Sequence, residues 1–338
     1  MTAVTTRWAL FGGIPMAVLV IAAAYRAELE SRPGGHKHRA VLVAGGADAH
    51  WRQVISGARA AARNAGLDLE IQLPGRGDLQ KLVRHDGRNP RDELAGMIVA
   101  AEVLGVEPFP AGLPQNVKLI TLGRDLAPDK RHCHVGPGDF AAGRLAASLL
   151  GEALPEGGAI VALAPDDEPG RRQVCGLRHA LGVLNRASPR GDGAMRYVLE
   201  SALIASSGSP LPSSLRKLID SRPRTDVVID FTAAPALSVL DALRSHPAAA
   251  EAELITLDNS DAALEGVERG DVFAVLAHQP YHVGYEAVAM LARMHRDGRL
   301  GTPAPGKGLI NVCPRVVRQR EAAAYRAAQQ AHAMDEAA

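Results

Sequence analysis

From Arg39 onward, short aliphatic or β-branched runs alternate with longer amphipathic stretches, and this alternation constrains the fold more than any other feature of the chain. "AVLVAGG" is followed by "HWRQVISGARAAARNAG", "LDLEIQL" by "LQKLVRH", and "GMIVAA" precedes "NVKLITLGRD". The pattern resumes with "GDFAAGRLAASLLGEAL", "GAIVALAPD" and "GRRQVCGLRHALGVLN" and continues to "VGYEAVAMLARMHRDG". Apolar runs of this kind are strands buried on both faces, so the order predicts parallel sheets flanked by helices. About ten strands are too many for one small unit, and an α/β chain with two doubly wound parallel-sheet domains joined by short hinges is expected. The run "LINVCPRVV" is read as one further strand, and "RQREAAAYRAAQQAHAMDEAA" as an Ala-rich, weakly packed helical tail.

One stretch places a charged residue at a strand tip. In "ITLDNSDAALEGVERG" the strand Ile255 to Leu257 delivers Asp258 to its carboxyl end, and Asn259, Ser260 and Asp261 supply capping side chains for the next helix. The carboxyl rim of an open α/β sheet is where ligands bind, so Asp258 is a binding candidate; the alternative is a turn carboxylate that only caps the helix.

Length and composition set the outer limits. At 338 residues the chain holds two domains of ordinary size, and 47% hydrophobic residues suffice for packed cores. The 38 basic residues balance the 37 acidic ones, which argues against nucleic acid or an anionic membrane surface as the partner. Cys133, Cys175 and Cys313 are too few and too scattered for a disulfide scaffold. The segment from Trp8 to Tyr25, "WALFGGIPMAVLVIAAAY", carries no charge and stands between a long signal-peptide core and a short membrane span. Either reading makes the protein exported: periplasmic or extracytoplasmic, with residues 8–25 as the anchor if the segment is retained. Ala22, Ala23 and Ala24 fit a cleavage site, Pro15 and Gly12-Gly13 weaken a stable span, and "RAELESRPGGHKHR" reads as a polar linker.

The motif survey removes the common enzyme classes. The chain has no G-x-S-x-G elbow, Walker loop, H-E-x-x-H or C-x-x-C. "GPGDFAAG" (Gly136 to Gly143) spaces its third glycine too late for a dinucleotide loop and is read as a turn opening a helix. In "HCH", strand alternation turns His132 and His134 to one face and Cys133 to the other, against a metal site. "RGD" (Arg76 to Asp78) is a Pro/Gly-rich surface turn. No catalytic residue, cofactor or metal is expected.

The C-terminal half resembles a known family. "ELITLDNSDAALEGVERGDVFAVLAHQPYHVGYEAVAML" resembles the sugar-binding proteins of the periplasmic binding protein type I family, the ribose-binding-like group. "LDNSDAALEGVERG" and "HQPYHVGYEAV" carry the likeness, while "AHWRQVISGARAAARNAG" resembles the family's first helix and "LITLGRD" with "HVGPGDFAAGRLAASLL" its passage into the second domain. The likeness spans residues 39–318. It implies a leader or anchor plus linker over 1–38, a first lobe from 39–137 with 280–309, a second lobe from 138–279 with 310–318, and the tail over 319–338.

The same resemblance implies a binding site. His50 and Trp51 fall where the family places rings that stack on a sugar, with Asp48 before them; Arg124 falls at the first-lobe arginine; Asp258 matches the carboxylate that grips hydroxyls; and His278 takes a glutamine position. Gln173 stands at an arginine position, Thr232 in an Asn/Asp-rich turn, and Gly123 where an aspartate is common. Carboxylates and guanidinium groups for hydroxyls, with a flat ring for the C–H face, are what sugar capture requires. The implied function is capture of a sugar or sugar-like ligand between hinged lobes for an ABC permease. A membrane-anchored sugar sensor is the alternative. A LacI-type effector domain fits less well, because the N-terminal segment is apolar where a helix-turn-helix would stand, and an exported hydrolase lacks a legible nucleophile and base.

Overall fold

The computed structural model describes residues 38–335, except 74–93, 102–116, 124, 126, 188–195, 205–210, 222 and 305. The N-terminal apolar segment, the "LQKLVRH" and "RGD" stretches and Arg124 lie outside the described residues.

Two six-stranded sheets organise the chain. The first contains β1 (Arg39–Val43), β2 (Asp68–Gln72), β3 (Leu94–Ala100), β4 (Lys118–Leu122), β5 (Cys133–Pro137) and β11 (Gly308–Val312), in the order β11-β5-β4-β3-β1-β2 with every neighbour parallel. The second contains β6 (Gly158–Pro165), β7 (Tyr197–Ile204), β8 (Val227–Asp230), β9 (Glu253–Thr256), β10 (Ala274–Ala277) and β12 (Arg315–Arg318), in the order β12-β10-β9-β8-β6-β7. Only β12 runs antiparallel to its neighbour. The aliphatic runs are continuous because these strands are buried on both faces: Ile160 to Ala164 are fully buried.

Helices follow the strands as the periodicity requires. One face of the first sheet carries α1 (Ala49–Ala65), and the second carries α2 (Asp139–Ala153) and α3 (Glu168–Ala187) on one face. On the opposite face of the second sheet lie α4 (Leu211–Asp220), α5 (Ala236–Arg244) and α6 (Asp261–Arg269). Helix α7 (Pro280–Arg296) returns to pack beside α1 on the first sheet, and α8 (Gln319–Asp335) ends the described chain. Each lobe has one close helix crossing built on a glycine pair. A Cβ on Gly57 would stand 1.9 Å from the Tyr281 carbonyl oxygen, and one on Gly284 1.9 Å from that of Val54. Gly143 and Gly176 make the equivalent approach between α2 and α3, 1.9 Å and 2.1 Å from the carbonyl oxygens of Gln173 and Phe140.

The structure corrects one expectation. "LINVCPRVV" is not one strand but two, β11 and β12, in different sheets. Pro314 lacks the N–H that a continuing ladder needs, and the chain turns there from one lobe to the other. The third passage between sheets therefore runs through Cys313 and Pro314, whereas the sequence divides at 309/310. The tail is helical as expected and docks on the second lobe through a few of its described residues. Ala322 is fully buried, Tyr325 packs on the second-lobe core, and Arg326 lies within ion-pair distance of Asp261, Glu265 and Glu268.

The three passages between lobes are bonded to one another. Gly138, after β5, donates its N–H to the Val312 carbonyl at 2.9 Å, and the Gln279 side-chain amide, after β10, donates to the Cys313 carbonyl at 2.7 Å. Side-by-side crossings of this kind concentrate any relative motion of the lobes into a few residues.

Candidate functional site

The carboxyl ends of the strands place the candidate residues. After β1 the chain turns through Gly45 and Gly46 to Asp48, whose carboxylate accepts the Trp51 N–H at 3.0 Å and so caps α1. The half-buried Trp51 indole lies against that turn: a Cβ on Gly45 would stand 2.6 Å from the ring. The exposed His50 ring meets the indole edge-on at 5.6 Å. Across from them His278 ends β10, and His50, Trp51, Leu122, Gly123, His278 and Pro280 line a crevice of about 280 Å³. Burial, with His50 adding to it, pushes the His278 imidazole below its ordinary range. A neutral imidazole has one donor and one acceptor, the pair that a hydroxyl group can satisfy.

A second cluster lies at the ends of β8 and β9. Asp258 accepts the Ala236 N–H at 2.8 Å and the Ser260 N–H at 2.9 Å, and receives the Ser260 hydroxyl at 3.1 Å. Its carboxylate thus caps α5 while Ser260 caps α6 through the Ala263 N–H. The residue at the strand tip is a capping carboxylate, half-buried at the sheet rim. Thr232 donates both its N–H (2.9 Å) and its hydroxyl (2.6 Å) to Asp230, in a turn whose Ala233 adopts φ 54°. Such a φ is uncommon for a residue with a Cβ and marks a turn held by its surroundings.

Gln173 is placed on α3. It is buried between α2 and α3, donates to Asp139 at 3.3 Å, and does not line the crevice.

A family match follows this geometry. The family described as "Periplasmic binding protein domain" matches residues 111–299, more than half of the chain. The chain belongs to this periplasmic binding protein family. No curated protein sequence matches it. Solved structures share its fold. A glucose-galactose binding protein from Geobacillus stearothermophilus is 19% identical, with 84% of this chain and 98% of that one covered and a TM-score of 0.58. An arabinose binding protein from the same organism is 14% identical, with 86% and 99% covered and a TM-score of 0.63. An ABC transporter solute binding protein from Burkholderia graminis, solved with D-arabinose, is 16% identical over 84% and 96%, with a TM-score of 0.57.

Three polar features of this binding protein escape sequence reasoning. Asp230 is fully buried; one carboxylate oxygen takes the Thr232 bonds and the other has no partner among the described residues. Burial holds its carboxyl above the usual carboxylate range against the Thr232 and Ala234 hydrogen bonds, and the Asp258 carboxylate adds to the rise. In the first lobe, Arg131 holds Asp125 through two bonds of 2.5 Å and the Gly308 carbonyl through one of 2.6 Å, tying the β4–β5 turn to β11. His134 joins this group through Thr121 at 3.0 Å, while Cys133 on the opposite face is buried in the core. Arg171 pairs with Asp166 at 2.9 Å where β6 passes into α3. The "HCH" run and the aspartate six residues before Arg131 were the only sequence signals of the first-lobe network.

Asp139 yields a prediction about pH. Burial pushes this carboxyl up to about 6, from an ordinary 3.8, against the opposing Arg172 charge and Gln173 bond. Its folded pKa exceeds its unfolded one, so folding favours the protonated form. The contribution to stability is present below about pH 4 and is lost as pH rises through about 6. Asp139→Asn is expected to match the wild type in urea denaturation at pH 4 and to exceed it at pH 7.5 by on the order of 2 kcal/mol. An equal difference at both pH values would sink this assignment.

Proposed function

We propose that this periplasmic binding protein captures a carbohydrate between its two lobes outside the cytoplasmic membrane and delivers it to an ABC permease. The carrying observation is the juxtaposition of Trp51, His50 and His278 in one crevice beside the bonded interlobe passages. An indole face suits the C–H surface of a pyranose or furanose ring, and a neutral His278 suits its hydroxyls. Thr232 and Asp258, at the ends of β8 and β9, supply second-lobe polar groups, and Arg124 a first-lobe donor. The sugars named for the similar structures support this reading. Among the described residues no helix is long and apolar enough to cross a membrane.

The test is a thermal-shift screen of the protein against monosaccharides, polyols and cyclitols. A ligand at about a hundred times its dissociation constant stabilises the fold by roughly 2.7 kcal/mol, a rise of several degrees. Absence of any shift across the panel overturns the carbohydrate reading.

A further inference from the structure

Helix α8 runs antiparallel to α6 and rises to the rim of the second lobe. Its first residue, Gln319, bonds the Glu268 carbonyl near the end of α6, whereas Gln330 bonds Asp261 at the start of α6. Midway, Tyr325 bonds Gln329, and the Asn259 side chain, next to Asp258, also reaches the phenol. Strand β12 starts at the same rim, with Arg315 paired to Ala277 at the carboxyl end of β10, and runs away from it to the start of α8. The Arg315 guanidinium lies 5.2 Å from the centre of the Tyr325 ring.

These elements enclose a second cavity of about 420 Å³ between the lobes. Gln53 and Ser56 of α1 and His282 of α7 form its first-lobe wall; Arg315, Tyr325 and Gln329 form the opposite wall. It adjoins the Trp51 crevice at His278–Pro280, which border both. Among the described residues no carboxylate lines it and none pairs with Arg315. A cation stacked on an aromatic face and surrounded by amides, hydroxyls and imidazoles suits a polar ligand group carrying negative charge.

We propose that this cavity is the second half of the binding site, and that the ligand is a carboxylated carbohydrate, a uronic or aldonic acid, whose carboxylate is received by Arg315. The inference rests on the carbohydrate reading and specifies the class of sugar. The ring lies toward Trp51, and the acid group passes His278 to the Arg315 fork. Helix α8 acts as a wall of the site, holding Tyr325 beneath the guanidinium.

Isothermal titration of the full chain with galacturonate, glucuronate and gluconate, alongside galactose and glucose, tests the proposal. A charge-assisted bond is worth about 1.5–3 kcal/mol, so an acid should bind at least about tenfold tighter than its neutral parent. Arg315→Gln should remove that preference, lowering the acid's affinity at least about tenfold more than the neutral sugar's; Gln53→Ala, on the opposite wall, should weaken the acid less. Neutral sugars binding as tightly as acids, or an acid preference that survives Arg315→Gln, overturns the proposal and leaves the carbohydrate reading standing. If neither acids nor neutral sugars bind, the underlying reading fails.

Discussion

Valine at Gly284 should lower the melting temperature by about 10 °C, because the α1–α7 crossing leaves no room for any side chain. A Cβ there stands 1.9 Å from the Val54 carbonyl oxygen, and the reciprocal Gly57 position meets Tyr281 at the same distance. Both obstacles are backbone atoms, so no rotamer change relieves the clash and the helices must separate. Overpacking typically costs 1–3 kcal/mol, and a backbone clash belongs at about 3 kcal/mol or above. Separation would also disturb the crevice, since α7 begins at Pro280 directly after His278 and Gln279. Gly182→Ala is the matched control. In α3 the nearest atom to its new Cβ is a flexible Arg186 terminus at 3.5 Å. Alanine is a better helix former than glycine by about 0.5–1 kcal/mol, so this variant should melt slightly higher. Equal melting temperatures for Gly284→Val and the wild type would show that the helices do not approach this closely.

The second large effect concerns Trp51. Replacing it by alanine should weaken carbohydrate binding about 30-fold, a loss of roughly 2 kcal/mol for an indole face that contributes both buried area and oriented contact. Trp51→Phe should restore most of the affinity, because a smaller ring still covers a C–H face. Trp51 is only half-buried, and Val54 and Ala58 of α1 carry the core packing, so the alanine variant should remain folded. A folded Trp51→Ala protein with wild-type affinity would place the ligand elsewhere, whereas parallel loss of binding and fold would be separated by the phenylalanine variant.

The parts of this molecule legible in the sequence are those governed by local chemistry. Parallel strands covered on both faces must be continuously aliphatic, so runs such as Ala40 to Val43 and Val227 to Ile229 announced themselves. Asp258 was recognisable at a strand tip because a strand, a polar turn and a helix follow one another there. Its bond to Ala236, 22 residues earlier, was not, because the distance between β8 and β9 is closed only by the sheet. The same limit hid Asp230, which reads as an ordinary polar residue at the end of "VVID" and is fully buried once its neighbours assemble. Family position marked Gln173 as a ligand residue; its burial and its bond to Asp139, 34 residues earlier, emerge only when α2 and α3 cross.

Chain order alone therefore determined the α/β class, the two-sheet count and the helices that follow the strands, since each depends on residue periodicity and propensity within a few positions. Tertiary structure decided which strand joins which sheet. "LINVCPRVV" is uniformly apolar enough for one strand, and only pairing with β5 on one side of Pro314 and β10 on the other divides it between lobes. It also decided where the Ala-rich tail docks, through Arg326 and Tyr325 meeting residues far away in the sequence. Contacts between distant segments depend on shape and register in three dimensions, and local periodicity does not record them.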